Sequence, residues 1–503
     1  MREEVLIGNE LSEAEQCLAV GDDDQAFNRL QKLAAKFPRR PRIWFAFGCA
    51  ASELGQVELA EQAWRKAADL GSGVPEILLS LGYYYLGLRR MDQARFYFMQ
   101  AIAVDPGCVN SRISLAVFLE QNHEYEQSRV AVDECLAISP EDDQARYMLA
   151  LLAQHEDKLD EAERRLRDLI KSNPKHEYVR YACRYDLANL LDRQERYDEA
   201  MLLLVEAKKM VRVLADVELM LERYDVRAQK TRLAATLLPR NTMRIWSKTY
   251  PLKKREAIPP LAFVGGHPRS GTTLLEQVLG AHPNVVAVDE PTTFSKVLAP
   301  EYNKSRGLSI QRLNILRRRY FQALQKEIGL PTEGKLILDK NPSPTAHLPI
   351  WLRVFPELRV LIALRDPRDV LISCYFQNIP LNLVNANFLS FERLATHYVD
   401  IMDVWLAVRQ WEGFAWMETR YEDIVKDLRK EGGRVTEFLG LTWHERQAQF
   451  HDKNARGSVF SPSYHDVTKP VYQRSVERWR RYEKYLAPVL SRLEPYCRAL
   501  GYS

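Results

Sequence analysis

This sequence lacks the closely spaced cysteines that are typical of disulfide-rich domains and zinc sites. Its seven cysteines are odd in number and scattered, and none of them is spaced as CxxC. That distribution argues against a disulfide framework and against a zinc site, and it favours a reducing compartment. Long apolar runs are missing too, since no stretch approaches the roughly 18 apolar residues that a membrane span needs. Because the acidic start also lacks the apolar core of a secretory signal, the sequence predicts a cytoplasmic protein without a metal ion.

A strong excess of one charge is also missing, because 71 basic residues nearly balance 67 acidic ones and leave a net charge of +4. No long Lys/Arg run or RNA-binding signature accompanies this charge, so we do not expect a nucleic-acid partner. With 46% apolar and 27% charged residues, the composition is typical of globular proteins. A length of 503 residues favours more than one domain over a single core.

The N-terminal part of the sequence repeats itself every 34 positions. Leu-Gly or Leu-Ala pairs begin at Leu81, Leu115 and Leu149, and small residues and prolines recur at the same interval. This period, with small residues at fixed places and a closing proline, is the signature of the tetratricopeptide repeat. The small residues let two helices approach closely, and stacking buries apolar faces that one unit cannot bury alone. We therefore predict about five to six helix pairs over residues 1–228.

A basic stretch that ends in two prolines, residues 248–260, follows the repeats. Proline pairs break helices and stiffen connections, so we predict a linker helix and basic linker over 229–258 and a second domain over 259–503. Short apolar runs then alternate with helical stretches, which is typical of a parallel sheet covered by helices. The runs are LAFVGG (261–266), VVAVDE (285–290), KLILDK (335–340), RVLIALRD (359–366) and GFAWMETRYE (413–422). The predicted fold class is an all-α solenoid followed by a P-loop-like α/β domain with a central parallel sheet.

The first apolar run leads into a glycine-bearing turn and then into a helix start. Gly266 and Gly271 have the G-x-x-x-x-G spacing of a P-loop, but Thr272 and Thr273 stand where that motif has Lys-Ser/Thr. Backbone N–H groups at the start of the helix still form a nest for an anion. Arg269 supplies positive charge in place of the missing lysine. The turn therefore predicts an anion site, and a plain strand-to-helix connection is the alternative.

The full string Pro-Arg-Ser-Gly-Thr-Thr at 268–273 resembles the 5′-phosphosulfate loop of sulfotransferases that use 3′-phosphoadenosine 5′-phosphosulfate (PAPS). The similarity is to tyrosylprotein sulfotransferases and to bacterial sulfotransferases that carry tetratricopeptide repeats. It implies PAPS as co-substrate, with no metal. It further implies that the 5′-phosphosulfate is held by Arg269, Ser270, Gly271, Thr272 and Thr273. Arg269 would also stabilise the charge that develops during transfer.

Two further matches follow in the same order as in that family. Glu290 lies where tyrosylprotein sulfotransferases have the general base that deprotonates the acceptor hydroxyl, and a carboxylate at the end of a strand suits that role. Asp289 and His347 are the other candidates for the base, and a helix-capping or salt-bridging acid is the structural alternative for Glu290. Lys340 resembles the lysine that contacts the bridging oxygen and stabilises the leaving phosphate.

A fourth match joins Arg365, which follows a predicted strand, with Ser373 eight residues later. The resemblance implies that this pair binds the 3′-phosphate, and an arginine fork with a hydroxyl near a helix start suits a dianion. One position departs from the family, because Gln377 stands where tyrosylprotein sulfotransferases carry another phosphate-binding arginine. Whether Gln377 weakens 3′-phosphate binding stays open at this point.

The resemblance covers roughly residues 259–485 and implies an enzyme that transfers sulfonate from PAPS to an acceptor hydroxyl. It adds three donor-binding candidates, which are Tyr421, Ser463 and Lys469. Protein tyrosine is the acceptor that the family suggests, and carbohydrate, lipid or metabolite hydroxyls stay open. The alternatives are a P-loop nucleotide-dependent kinase or phosphotransferase, and a repeat scaffold with an inactive sulfotransferase domain. Because repeat arrays bind rather than catalyse, we expect the array to bind a protein or to mediate self-association.

Overall fold

The chain forms two compact units, Met1–Arg180 and Tyr181–Ser503. The second unit begins before the predicted end of the repeat array at residue 228. Buried apolar side chains form separate hydrophobic cores within the two units. The computed structural model describes residues 2–19, 23–54, 56–70, 74–87, 90–329, 332–451 and 474–502.

The first unit consists of helices in which neighbours along the chain pack against each other. Small residues of the 34-residue frame lie where the two helices of a pair touch. A Cβ atom at Gly48 would overlap the indole of Trp64, and one at Gly82 would lie 2.5 Å from Cε1 of Phe98. The all-α part of the predicted fold class is therefore confirmed. The helices are α1 Arg2–Ala19, α2 Asp23–Lys36, α3 Pro41–Glu53, α4 Val57–Leu70, α5 Pro75–Gly87, α6 Met91–Val104, α7 Val109–Gln121, α8 Tyr125–Ile138, α9 Asp143–His155 and α10 Leu159–Ser172.

Further helices precede the sheet and, apart from residues 177–180 of α11, lie in the second unit. They are α11 Glu177–Arg193, α12 Tyr197–Arg212, α13 Val217–Thr236 and α14 Thr242–Thr249. Helix α13 is continuous across residue 228, where we predicted the end of the array. In the same unit, the hydroxyl of Tyr302 donates to the carbonyl oxygen of Thr231 at 3.0 Å. The domain boundaries at 228 and 258 stay predictions.

The second unit contains a parallel sheet, which is five-stranded within the described residues and has the order β2-β3-β1-β4-β5. All neighbouring strands pair in parallel, so the α/β part of the predicted fold class is confirmed. Strands β1 and β3 are buried along their whole length, as expected for a sheet covered on both faces. The strands are β1 Leu261–Gly266, β2 Val285–Asp289, β3 Leu336–Lys340, β4 Arg359–Leu364 and β5 Ala415–Arg420.

The order of the strands creates a crevice at one edge of the sheet. From β1 the chain moves to β2 on one side, and from β4 it moves to β5 on the other side, although β1 and β4 are neighbours. In open α/β sheets, ligands bind at the carboxyl ends of strands where the connections diverge in this way. The helices that complete the unit are α15 Thr272–Gly280, α16 Thr293–Val297, α17 Ile310–Ile328, α18 Leu348–Val354, α19 Pro367–Tyr375, α20 Phe391–Val408, α21 Tyr421–Lys426, α22 Leu428–Phe438 and α23 Glu483–Leu500.

Membrane spans and metal clusters were two of the features that the sequence argued against. Among the residues that the structure describes, no helix combines the length and apolarity that crossing a membrane requires. The same residues contain no group of three or more His, Cys, Asp and Glu side chains placed to hold a metal ion. No disulfide bond joins any of the seven cysteines, all of which lie among the described residues.

Candidate active site

The turn that follows β1 has left-handed backbone conformations at Gly266 (φ 136°), Arg269 (φ 69°) and Gly271 (φ 88°). A Cβ atom at Gly266 would overlap the carbonyl oxygen of Ala363 in β4. Glycine is therefore required for the turn to lie this close to the neighbouring strand. The N–H of Gly266 also donates to Oγ1 of Thr345 at 2.8 Å. These contacts fix the start of the turn between β4 and the segment that follows β3.

Helix α15 begins at the end of this turn, with Gly271 immediately before its first residue. The side chains of Ser270, Thr272 and Thr273 are buried there. The N–H groups in the first turn of a helix have no carbonyl partner within the helix and carry a partial positive charge. The turn and the helix start together provide the N–H groups and hydroxyls that an anion needs.

Three of the predicted site residues meet beside the turn. The Nε atom of Arg269 donates to Oγ of Ser373 in α19 at 3.1 Å. The Nη1 atom of Arg365, which directly follows β4, donates to the carbonyl oxygen of Arg269 at 3.3 Å. Two guanidinium groups and a hydroxyl therefore lie in one cluster at the crevice, which we call the arginine cluster (Arg269, Arg365 and Ser373).

The aromatic ring of Tyr421, at the start of α21, closes one side of the arginine cluster. The guanidinium carbon of Arg365 lies 4.9 Å from the centre of this ring. A Cβ atom at Gly271 would lie 2.8 Å from Cδ2 of Tyr421, so the ring also lies against the turn. Tyr421 thus contacts both the end of the turn and the arginine that follows β4.

The guanidinium group of Arg365 is buried and incompletely paired. Its Nη2 atom donates to the carbonyl oxygen of Ser475 at 2.6 Å, but its Nε atom has no hydrogen-bond partner among the described residues. A buried N–H without an acceptor is costly. This atom, together with the second guanidinium group, the hydroxyl of Ser373 and the start of α15, suits a ligand that carries more than one anionic group.

A second cluster lies at the ends of β2 and β3. The Nζ atom of Lys340 forms ion pairs with Asp289 and, at 3.0 Å, with Oε1 of Glu290. Burial alone lowers the pKa of Lys340, but the neighbouring carboxylates of Asp289, Glu290 and Glu276 outweigh burial and raise it above its ordinary value. Lys340 is therefore a fixed, charged group in the fold. By strand register it lies beside Val264 of β1, at the same edge of the sheet as the turn.

The three candidates for the general base differ in their exposure. The side chain of Glu290 is 48% exposed, whereas that of Asp289 is 9% exposed. His347 is enclosed by the rings of Phe294 and Tyr302, and burial lowers its pKa to about 4. A group from solvent can therefore reach Glu290 more readily than the other two candidates.

A pair of buried histidines joins the turn, through His267, to α20, through His397, and it was not predicted from the sequence. The Nδ1 atom of His267 lies 2.8 Å from the carbonyl oxygen of Pro268, and its Nε2 atom lies 2.8 Å from Nδ1 of His397. A carbonyl oxygen can only accept, so Nδ1 of His267 carries the hydrogen. Burial lowers the pKa of His267 to about 4, which keeps it neutral and leaves Nε2 to accept from His397. The partners are 130 residues apart, which explains why no local motif revealed them.

The remaining predicted positions are less informative. Gln377 follows α19, where its backbone N–H donates to the carbonyl oxygen of Cys374 at 3.1 Å, and its side chain is half-buried. Ser463 and Lys469, the two candidates in the loop predicted to cover the donor, lie outside the described residues. Their roles stay predictions.

Comparisons with known proteins match both parts of the chain. Residues 260–445 match the model of the Sulfotransferase family. Residues 75–108 and 147–211 match models of the tetratricopeptide repeat. The solved structures that align with the chain include the following two, both at a TM-score below 0.5. Pseudomonas aeruginosa pilF has a TM-score of 0.36 and 16% identity over 43% of this chain and 96% of pilF. A tetratricopeptide repeat protein from Parabacteroides merdae has a TM-score of 0.34 and 18% identity over 44% of this chain and 86% of its own.

Curated relatives match at low identity. Protein-tyrosine sulfotransferase 1 of Danio rerio is 23% identical over 260 residues, which cover 46% of this chain and 72% of the relative. Protein-tyrosine sulfotransferase 1 of Homo sapiens is 28% identical over 162 residues, which cover 29% of this chain and 42% of the relative. An uncharacterized protein of Aquifex aeolicus is 27% identical over 336 residues, and the chain spans only 42% of that protein's length. The chain thus combines a region similar to the sulfotransferase family, residues 260–445, with regions similar to tetratricopeptide repeats.

Proposed function

We propose that the protein transfers a sulfonate group from PAPS to an acceptor hydroxyl. The observation that carries this proposal is the arginine cluster beside the glycine turn, where Arg269 contacts both Ser373 and Arg365. PAPS has two anionic ends, a 3′-phosphate and a 5′-phosphosulfate, so it needs two sets of cationic or N–H donors. A nucleoside triphosphate has no 3′-phosphate and would leave one set without a ligand.

Each of the two sets of cationic and N–H groups is assigned to one anionic end of PAPS. The 3′-phosphate is bound by Arg365 and Ser373, and the Nε atom of Arg365, which has no hydrogen-bond partner among the described residues, supports this assignment. Tyr421 lies beside the adenine ring. The 5′-phosphosulfate is bound by Arg269, Ser270, Gly271, Thr272 and Thr273. Hydrogen bonds between charged groups are stronger than neutral ones, which favours tight binding of the product, adenosine 3′,5′-bisphosphate.

The catalytic roles follow from charge and exposure. PAPS supplies an activated sulfonate, so a bond forms between the acceptor oxygen and sulfur as the bond from sulfur to the bridging oxygen breaks. Glu290 accepts the proton that the acceptor hydroxyl loses. Lys340 and Arg269 stabilise the negative charge that grows on the leaving group and on the sulfonate oxygens. Because the side chain of Lys340 is fully buried and paired with two carboxylates, it is held in place before the substrate binds.

The proposal is tested by separating donor binding from transfer. We expect Glu290→Gln to reduce turnover of labelled PAPS by about 10²–10⁴-fold, because the variant cannot accept a proton. The affinity for adenosine 3′,5′-bisphosphate, measured by calorimetry, is expected to stay unchanged, because Glu290 does not hold the donor. Glu333→Gln is the matched control, since Glu333 is an exposed acid in the turn before β3 and its loss removes the same charge elsewhere.

Two results would contradict the proposal at different points. Full activity of Glu290→Gln would show that another group is the base, and Asp289→Asn would then be tested next. Binding of ATP by the wild-type chain, with no binding of adenosine 3′,5′-bisphosphate, would overturn the assignment of PAPS as donor and favour a phosphotransferase.

The acceptor and the partner follow from weaker observations. We propose a tyrosine hydroxyl of a protein as acceptor, because the chain is similar to enzymes named protein-tyrosine sulfotransferases. The repeat array would then bind the acceptor protein, another protein, or a second copy of the chain. We propose a reducing, cytoplasmic setting from the scattered cysteines of the sequence, none of which is spaced as CxxC. A transfer screen with labelled PAPS over peptide, glycan and metabolite acceptors tests the acceptor class.

A further inference from the structure

The segment of residues 475–482 lies against the arginine cluster. The carbonyl oxygen of Ser475 accepts from Nη2 of Arg365 at 2.6 Å. Four residues later, the N–H of Trp479 donates to Oδ1 of Asp369, in the first turn of α19, at 2.7 Å. The guanidinium carbon of Arg368 lies 3.9 Å from the centre of the Trp479 ring. The 475–482 segment therefore sets the position of Arg365 and covers the start of the helix that carries Ser373.

The other side of the 475–482 segment is held by Asp192, a residue of α11. Both carboxylate oxygens of Asp192 bind Arg478, with Nε at 3.2 Å from Oδ1 and Nη2 at 3.0 Å from Oδ2. The hydroxyl of Tyr482 donates to the same Oδ1 atom at 2.6 Å. The side chains of Asp192 and Arg478 are only 17% and 14% exposed, so solvent screens this ion pair weakly. One carboxylate thus anchors two points of the segment.

The anchored side chains reach back to α19. The guanidinium carbon of Arg478 lies 4.1 Å from the centre of the Phe376 ring, and Phe376 directly follows α19, three positions after Ser373. The ring of Phe376 also packs at 5.4 Å from that of Tyr482. The 475–482 segment therefore contacts both ends of α19. The N–H of Trp479 bonds Asp369 in the first turn, and the side chains of Arg478 and Tyr482, the two partners of Asp192, pack on Phe376 after the last turn.

Helix α12 also contacts α19. Its Lys208 donates to the carbonyl oxygen of Phe388 at 2.8 Å and lies 4.2 Å from the centre of the Tyr375 ring in α19. Helix α11 thus contacts the 475–482 segment, and α12 contacts α19, the helix that carries Ser373. Both contacts lie inside the second unit, Tyr181–Ser503.

We propose that Asp192 is a positioning residue of the donor site, which makes the helix pair α11–α12 a structural part of the site for a nucleoside 3′,5′-bisphosphate. The inference rests on the proposed function, because it assigns the arginine cluster to the 3′-phosphate. Asp192 acts through Arg478 and the 475–482 segment, which hold the carbonyl oxygen of Ser475 against Arg365. Without Asp192, Arg365 loses the fixed acceptor that orients its guanidinium group.

The test measures affinity and discrimination in the full-length chain by calorimetry. We expect Asp192→Ala to bind adenosine 3′,5′-bisphosphate at least about tenfold more weakly, a loss of about 1.4 kcal/mol. Affinity for adenosine 5′-monophosphate, which lacks the 3′-phosphate, is expected to change little. The preference for the 3′-phosphorylated nucleotide therefore falls, which a general loss of stability would not cause. Asp192→Glu, which keeps the carboxylate, is expected to restore part of that preference.

Asp198→Asn is the matched control. Asp198 of α12 also bonds two residues near the C-terminus, Lys484 and Tyr485 of α23, but its side chain is 66% exposed. Exposed pairs contribute little, so this variant is expected to bind both nucleotides as the wild type does. A double variant, Asp192→Ala with Arg478→Ala, is expected to lose no more than the larger single loss, because both residues act through one contact.

The outcomes separate the two proposals. If the wild-type chain does not bind adenosine 3′,5′-bisphosphate, the proposed function fails. If the wild type binds it and Asp192→Ala keeps the same preference over adenosine 5′-monophosphate, the function stands and the role of Asp192 is refuted. Should Asp192→Ala fail to fold, Asp192→Asn decides, because it keeps the side-chain size and an acceptor oxygen for Tyr482 while losing the ionic contact with Arg478. An unchanged preference in Asp192→Asn would then refute the role.

Discussion

Lys208 and Lys340 are both buried, yet their surroundings shift their pKa values in opposite directions. The carboxylates of Asp289 and Glu290 stand beside Lys340 and raise its pKa despite burial. Lys208 instead meets a carbonyl oxygen and aromatic rings, and burial lowers its pKa to about 7. The first lysine is a permanent charge suited to stabilising an anion. The second can lose its charge near neutral pH, which makes stability depend on pH.

The groups around Lys208 define how that dependence runs. Its Nζ atom donates to the carbonyl oxygen of Phe388 and lies 3.3 Å from the hydroxyl of Tyr185. The ring of Tyr375 and the thiol of Cys374 are the other neighbours, and the thiol opposes the effect of burial. In the unfolded chain the lysine has its ordinary pKa of 10.5. Between pH 7 and 10.5 the unfolded state therefore binds more protons than the folded state.

We expect the free energy of unfolding to rise with pH in this window, because the cost of burying the charge is full below pH 7 and is lost by pH 10.5. The slope from Lys208 approaches about 1.4 kcal/mol per pH unit. Lys208→Met lacks this titration, so the stability difference between variant and wild type changes between pH 7 and 9. Denaturant titrations at each pH measure it. Lys209→Met, at the exposed neighbouring position, is expected to differ from the wild type by a constant amount, and a constant difference for Lys208→Met would refute the prediction.

At the scale of elements, the close pairing of β1 with β4 depends on Gly266. Its φ of 136° is one that residues with a Cβ rarely adopt, and a Cβ there would overlap the carbonyl oxygen of Ala363. The obstacle is backbone, so it cannot rotate away as a side chain would. We expect Gly266→Ala to lower the free energy of unfolding by at least about 1–3 kcal/mol and to weaken binding of adenosine 3′,5′-bisphosphate, because the turn moves.

Gly433→Ala provides the control for that prediction. Gly433 lies inside α22, and nothing lies within 4 Å of a Cβ built there. Alanine in a helix interior is more stable than glycine by about 0.5–1 kcal/mol, so this variant is expected to raise the free energy of unfolding. Denaturant unfolding of both variants measures the two opposite signs. Equal stability of Gly266→Ala and the wild type would show that β1 and β4 can separate at no cost.

The strands were predictable because the sheet is buried on both faces. The predicted run at 261–266 coincides with β1, and the run at 285–290 exceeds β2 by one residue. The run at 413–422 is longer than β5, Ala415–Arg420, where side chains are partly exposed and the apolar pattern weakens. Continuous apolar runs indicate that a strand is buried, but they carry no information on which strand lies next to it. The strand order β2-β3-β1-β4-β5 could therefore not be predicted from the sequence.

From its residues alone, the sequence predicts the part of the candidate site that is one continuous motif, whereas positions further along the chain, such as Lys340 and Arg365, are expected from the family resemblance. The turn at 266–273 is one continuous motif, so its residues could be named from the sequence. Asp192 and Arg478 are 286 residues apart, and a single Asp on a helix surface is far more often solvated than paired. The resemblance to a family does not reveal such a contact, because it was limited to residues after about 259. Only the packing of α11 against the 475–482 segment brings Asp192 and Arg478 together.

At the scale of the whole molecule, helix α13 packs against the region of the second unit that is similar to the sulfotransferase family. In α13, Arg232 lies 3.3 Å from Oδ1 of Asp400 and 3.4 Å from Oδ2 of Asp403, both in α20. The buried side chains of Val217 and Leu221 pack with Ala386. Removing this helix would expose apolar surface and leave acidic side chains without their partner. The compact second unit, Tyr181–Ser503, therefore includes helices that repeat periodicity alone assigns to the array.

This packing predicts opposite behaviour for two truncated chains. A chain of residues 177–503 keeps α11 to α14 whole, and we expect it to melt cooperatively and to bind adenosine 3′,5′-bisphosphate within about threefold of the full-length affinity, a change below 1 kcal/mol. A chain of residues 246–503 cuts into α14 and loses Asp192, Lys208 and α13. We expect it to aggregate, because the apolar surface around Ala386 loses the side chains of α13 that cover it. Any soluble fraction is expected to bind the nucleotide at least about a hundredfold more weakly, because Asp192 no longer holds the 475–482 segment. Size-exclusion chromatography and calorimetry measure both. If residues 246–503 bind the nucleotide as the full chain does, the donor site is complete without α11 to α13, and the role of these helices in the site is refuted.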